Sequence, residues 1–187
     1  MTNLSQRLIP DAINRFGARV HAVDGHRWND STPCSEWTVR DLVNHLVSEH
    51  LWVPHLLAGE NLEQVGDRYD GDVVGADPVR AWDEAAERSL AAWKGADLSG
   101  TAHFSFGEAP LTVYADQILV DLTVHEWDLA RGTGQPEGLD PAAVDHGLAY
   151  ARANAERMAS LGIIAAPVRT TSTDPAVRLL SLLGRTV

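Results

Sequence analysis

The sequence predicts an all-α fold, an up-and-down bundle of about four long helices with short extra helices toward the C-terminus. Three observations carry that prediction: legible helix-start signals, apolar residues at helical spacing, and no run of several strands.

Asp77-Pro78, Asp140-Pro141 and Asp174-Pro175 each set a capping carboxylate before a proline. The fixed φ and missing N–H of proline suit a helix's first turn. Thr38-Val39-Arg40-Asp41 resembles a capping box, with Asp in place of the usual Glu. Gly59, Gly95, Gly132 and Gly162 read as helix stops. These signals place helices over Leu4 to Val23, Thr38 to Ala58, Pro78 to Lys94, Leu111 to Arg131 and Pro141 to Leu161, with a short one over Pro175 to Leu183. Asn61 to Gly75 reads as a Gly/Asp-rich loop, and Thr101 to Phe106 alternates as an extended segment would. No fixed-period repeat or dividing linker occurs, so residues 1–187 are expected to form one domain.

Composition narrows the function. A formal net charge of -11 repels phosphate backbones and anionic membranes, which argues against nucleic-acid binding. No apolar run reaches the ~20 residues that span a bilayer, and Met1 to Phe16 has no signal-peptide core. A cytoplasmic location is therefore expected. Cys34 is the one cysteine, so an internal disulfide and a Cys-rich zinc module are both excluded. Any metal must be held by His and carboxylate.

Two helices carry polar residues inside apolar stripes. Leu42, His45, Leu46, Glu49, Val53 and Leu56 fall within one arc of the second helix. On the fourth, Tyr114, Ile118, Leu122 and Leu129 form the stripe, with Asp121 and His125 stacked within it. Asp116 and Glu126 lie away from its centre and are expected in solvent. An unpaired carboxylate in a core is costly, so it neutralises or finds a partner. Asp121 and His125 can hydrogen-bond each other, and His45 can be a satisfied core histidine. The sharper reading is a divalent cation held by His45, Asp121 and His125. Two His and one carboxylate suit Zn foremost, and also Ni, Fe or Mn. Three protein ligands leave a coordination position open, as catalytic metals require. Glu49 filling that position would favour a structural role instead.

The run from Thr32-Pro33-Cys34 through Trp37 and Val39-Arg40-Asp41-Leu42 to His45-Leu46 resembles a signature of the mycothiol-dependent maleylpyruvate isomerase metal-binding domain family, within the DinB-like superfamily of helical bundles. Asp121 and His125-Glu126-Trp127-Asp128-Leu129-Ala130 are similar to its second signature. Arg178-Leu179-Leu180 with Gly184-Arg185 is similar to its closing one. The resemblance implies a DinB-like bundle, with metal ligands at His45, Asp121 and His125. The isomerase has Glu where this chain has Asp121. It also carries a further C-terminal domain, whereas this sequence ends with the bundle. The resemblance therefore implies a metal-dependent transferase or isomerase using mycothiol or a related thiol. Its partners would be a small-molecule thiol and an electrophilic substrate, and a homodimer is compatible with it.

Other residues receive plainer readings. Cys34 packs under the turn before the second helix. His21 and His26, and His50 and His55, are five apart and splay to different faces; His50 is expected toward solvent. His103 and His146 have no evident partner. Trp37 and Trp127 flank the metal motifs and are read as packing residues, with walling of the site as the alternative. Asp128 is read as a salt-bridge partner of Arg131, or else as a group that orients a metal ligand. No HExxH motif or Gly-rich phosphate loop occurs. Besides a thiol-dependent enzyme, a non-catalytic metal-binding bundle and a non-haem iron oxygenase are readings compatible with these ligands.

Overall fold

The computed structural model describes residues 3–104 and 107–187. Among them, helices α1 (Leu4–His21), α2 (Val39–Leu57), α3 (Leu62–Val65) and α4 (Pro78–Trp93) precede a hairpin of β1 (Thr101–Phe104) and β2 (Gly107–Pro110). Helices α5 (Leu111–Thr133), α6 (Pro141–Ser160) and α7 (Pro175–Leu182) follow. The capping signals act as expected. Asp77, Asp140 and Asp174 each accept from a first-turn N–H, and Thr38 and Asp41 close a reciprocal capping box. The extended segment is met at Thr101–Phe104, paired antiparallel to β2; Ser105 and Phe106 lie outside the described residues.

Helices α1, α2, α4 and α5 form the DinB-like bundle. Each of α1 and α2 packs against both α4 and α5, so α1 stands diagonal to α2. The long connections 22–38 and 94–110 cross those diagonals. The interior is filled by Ile9, Ile13, Phe16, Leu42, Leu46, Trp82, Leu119 and Leu122, all nearly inaccessible to water. A second apolar layer lies outside the bundle. There α6 and α7 bury Val144, Leu148, Leu179 and Leu180 against Val120, Val124 and Trp127 of α5. Helix α6 is thus a long fifth helix covering the outer face of α5. No helix among the described residues is long and apolar enough to cross a membrane.

This double coverage of α5 corrects several expectations. Glu126 is not solvated: it is 2% exposed, 3.1 Å from Arg15 and 3.6 Å from Arg19 of α1. Helix α1 packs where an isolated amphipathic helix would meet water. Asp116 and His146 are half-buried partners, 3.0 Å apart, and Ser5 donates to the same Asp116 oxygen. Gly132 does not end α5. It lies inside the helix, where a Cβ would come within 3.2 Å of Ser31 O and of the Thr32 side chain. The stop is Gly134, in the left-handed conformation at φ 68°. The span Asn61 to Gly75, which reads as a loop, contains α3, started by a reciprocal cap between Asn61 and Gln64.

His50 departs furthest. It is fully buried between α2 and α4, with Nδ1 2.8 Å from Ser89 Oγ and its ring edge-on to Trp82. Its Nε2 has no hydrogen-bond partner. The apolar arc of α2 is wider than the stripe read from it, because α4 and α5 both pack on that helix. Burial pulls the His50 pKa from 6.5 down to about 4. The unfolded chain therefore takes up this proton before the folded one. The stability it contributes is present above pH 6.5 and lost as pH falls through 4. We expect wild type to lose about 2 kcal/mol more than His50→Phe between pH 7 and pH 4.5. Urea unfolding at the two pH values measures this; equal losses would remove His50 as the cause.

Candidate metal centre

Helices α2 and α5 are neighbours in the bundle, and their polar notches face one another. The capping box at Thr38 sets the start of α2, which places His45 on its second turn. Asp121 and His125 stand one turn apart along α5.

The three side chains converge. His45 Nε2 lies 3.0 Å from Asp121 Oδ2, and His125 Nε2 lies 3.3 Å from Asp121 Oδ1. One ligand-type atom from each falls within 4.8 Å of the other two. Burial would raise the Asp121 carboxyl, but the two imidazoles outweigh it and hold the group well below the usual carboxylate range. Burial would likewise lower His125, but Asp121 and Asp128 prevail and push it up to about 9. His125 is nearly inaccessible, whereas Asp121 keeps 31% of its side chain exposed and His45 28%. The trio is closed toward the core and open on one side.

Behind His125 lies a buried charge chain. Asp128, with no exposed surface, accepts from His125 Nδ1 at 2.9 Å. Arg185, near the C-terminus, grips Asp128 through two nitrogens at 2.7 and 3.3 Å. Asp128 therefore does not pair with Arg131, which instead reaches Glu137 and lies over the ring of Trp127. The contact with Nδ1 favours the tautomer that leaves Nε2 free to face Asp121. Arg185 also approaches Cys34 Sγ at 3.4 Å. The Cys34 thiol is half-buried; burial pushes its pKa up while Arg185 pulls the other way. A raised thiol fits the packing role read for it. Cys34 converges with His125 and Asp128 as a second candidate ligand group, but Asp128 is already committed to Arg185.

Glu49, one turn beyond His45, is not in the group whose ligand atoms all lie within 4.8 Å of one another. Its carboxyl is raised by burial and by the charge of Asp121, while the two imidazoles pull it down. Among the described residues, the ligand atoms that come together here belong to His45, Asp121 and His125 alone.

In front of the trio stands Trp37, its ring 4.9 Å from that of His45 and 5.7 Å from that of His125. It walls the site, the alternative the sequence left open, whereas Trp127 packs against α6 and α7. The turn that delivers Trp37 includes Glu36 at φ 75°, the one non-glycine residue in the left-handed region among those described. Such strain persists only where the surroundings hold it. A groove of about 530 Å³ begins at His45 and runs past Trp37, Asn44, Ser48, Tyr69 and Asp70. Asn44 anchors its far wall by bonding Gly71, Val73 and Val74.

The three residues that the sequence reading proposes as ligands, His45, Asp121 and His125, are brought to one point by the fold. For Asp128 the structure favours the second reading, a group that orients His125, over the salt bridge with Arg131; the sequence does not reveal the role of Arg185. The closing Gly184-Arg185 pair was visible, but nothing local ties that arginine to a residue 57 positions earlier.

Comparison with known proteins places the chain in a family. Two curated relatives, uncharacterized proteins from two strains of Mycobacterium tuberculosis, are each 35% identical over 142 residues, covering 76% of this chain and 74% of theirs. Two crystal structures of mycothiol-dependent maleylpyruvate isomerase, one of a mutant, superpose with TM-scores of 0.64 and 0.62. They cover 81% of this chain and 72% of theirs at 13% and 14% identity, which shows a shared fold. The profile of the mycothiol maleylpyruvate isomerase N-terminal domain matches residues 9–130, a span that includes His45, Asp121 and His125. On that match the chain belongs to the mycothiol maleylpyruvate isomerase N-terminal domain family.

Proposed function

We propose that this protein is a metal-dependent enzyme of low-molecular-weight thiol chemistry, a transferase or isomerase, with one divalent ion held by His45, Asp121 and His125. The observation that carries the reading is the aim of two imidazoles, from neighbouring helices, at one carboxylate that is open to a groove. The donor set fits. Each imidazole presents Nε2, Asp121 supplies negative charge, and zinc accepts this mixture, as do nickel, iron and manganese. The relatives' family name supplies mycothiol as the candidate thiol.

A divalent cation there would supply Lewis acidity, lowering the pKa of a thiol or water bound to it. The chain's own residues prepare for that. Asp128 keeps a proton on His125 Nδ1, so that Nε2 can act as a ligand. Arg185 neutralises Asp128 and keeps it from competing as a ligand. Trp37 covers both imidazoles and limits water around them. The groove gives a small molecule access from the His45 side. Glu49, standing outside the trio, leaves a coordination position for that molecule.

Metal analysis of protein purified without chelator should find about one divalent ion per chain, largely lost in His125→Ala and His45→Ala. Equal metal content in variants and wild type would defeat the ligand assignment. Conjugation or isomerisation that requires added mycothiol and is abolished by chelation would support the enzyme reading; no thiol-dependent turnover across a broad set of electrophiles would count against it. Asp128→Asn should keep the stoichiometry at saturation but weaken affinity about 10- to 100-fold. A metal titration of the variant, with its Tm followed in parallel, measures this; unchanged affinity would reduce Asp128 to a packing role.

A further inference from the structure

We infer that the groove at the metal centre selects neutral or cationic ligands and turns away anions, with Glu36 and Asp70 as the specificity-determining residues. The inference rests on the proposed metal-thiol reading of that site and names its substrate class.

The lining of the groove carries the argument. Three carboxylates line it, those of Glu36, Asp41 and Asp70, and it contains no lysine or arginine. Asp41 is charged and structurally engaged: its hydrogen bonds from Thr38 at the cap of α2 lower its pKa. Glu36 and Asp70 are exposed, and among the described residues neither has an ion-pair or side-chain hydrogen-bond partner. Arg40, on the adjoining turn of α2, is held away by Asp72 and the Gly75 carbonyl. The remaining polar groups are largely occupied within the protein. Asn44 bonds the loop backbone, Ser48 donates to Tyr69 O, and the Tyr69 hydroxyl meets His55. An entering anion would find no cationic partner along this wall. Trp37 adds an aromatic face, which attracts cations and tolerates neutral groups.

The innermost end has the opposite character. A divalent ion on one carboxylate and two neutral imidazoles keeps a net positive charge and welcomes a thiolate. The site therefore combines a thiolate-accepting end with an anion-rejecting approach. The solved isomerase acts, by its name, on maleylpyruvate, a dicarboxylate. A dianion of that kind is what this approach disfavours, so the electrophile of this chain belongs to a different charge class.

The size of the effect follows from Coulomb's law. At about 7 Å in water each unpaired carboxylate changes binding about two- to threefold per unit of ligand charge. Two of them, acting on cation and anion in opposite senses and partly screened by salt, give about tenfold.

The test uses the full chain loaded with cobalt(II), whose thiolate charge-transfer band reports coordination without turnover. The probes are 6-aminohexanethiol, 6-mercaptohexanol and 6-mercaptohexanoate, which share one thiol and one chain length and differ in terminal charge. At low salt the amine should bind about tenfold more tightly than the carboxylate, with the alcohol between them. Glu36→Gln together with Asp70→Asn should cut that ratio at least threefold, as should raising the salt. Asp41 is left intact because it caps α2. Equal affinity for the three thiols would overturn charge selection while leaving the metal centre standing. A preference unchanged in the double variant would overturn the assignment to Glu36 and Asp70. If no thiol produced the band, the metal-thiol reading itself would fail, and this inference with it.

Discussion

The carboxylate of Asp121, shared between His45 and His125, is the interaction on which this site depends. A carboxylate set into a bundle interior is costly unless opposite charge or donors surround it. Here two imidazoles supply that partner from two helices, so the contact also crosses the interface between α2 and α5. The same geometry is what a divalent cation needs: three donors aimed at one point, with the fourth side open. The proposed metal ligation would therefore use the same arrangement that hydrogen bonding holds together.

What holds the arrangement is the unusual burial of α5. Most four-helix bundles leave one face of each helix in water, but α6 and α7 cover the outer face of this one. Charged residues along α5 must then find internal partners. Glu126 finds Arg15 and Arg19 on α1, and Asp128 finds Arg185 at the far end of the chain. The second pairing connects the C-terminal layer to the candidate centre. Asp128 fixes His125, and against the cost of burial the His125 ring first, with Arg185 behind it, holds the Asp128 carboxyl below its usual range.

Much of this was legible in the sequence because it is local. Asp-Pro starts, the Thr38 capping box and helical spacing act within one or two turns, and they placed the long helices and singled out the three side chains that converge. The misreadings share a different cause. His50 and Glu126 were set in solvent from the pattern of a single helix, but burial is decided by how many neighbours pack on that helix. Gly132 was read as a stop because glycine commonly ends helices; its actual role is to admit Ser31 and Thr32, a contact no local pattern encodes. Arg185 carried a recognisable motif and no indication of its partner. Periodicity shows which face is apolar, whereas the width of the buried arc depends on tertiary packing.

The chemistry of the site divides along the same line. Its inner half is built from helices: His45, Asp121, His125 and Asp128, braced by Arg185. Displacing any of these leaves a buried charge or ring nitrogen without a partner, so the inner half tolerates little change. Its outer half is the turn that carries Glu36 and Trp37 and the loop around Tyr69 and Asp70, where side chains meet water and the backbone is held by a few bonds from Asn44 and Ser48. Loops of this kind accept substitution at small cost, and they are the surfaces a substrate meets first. A family can therefore keep one centre and vary what approaches it, because the two halves answer to different constraints. Membership in the family accordingly bears most directly on the inner half. On the proposed thiol reading, the electrophile would be chosen by the charge and shape of the outer half, and in this chain that half is acidic.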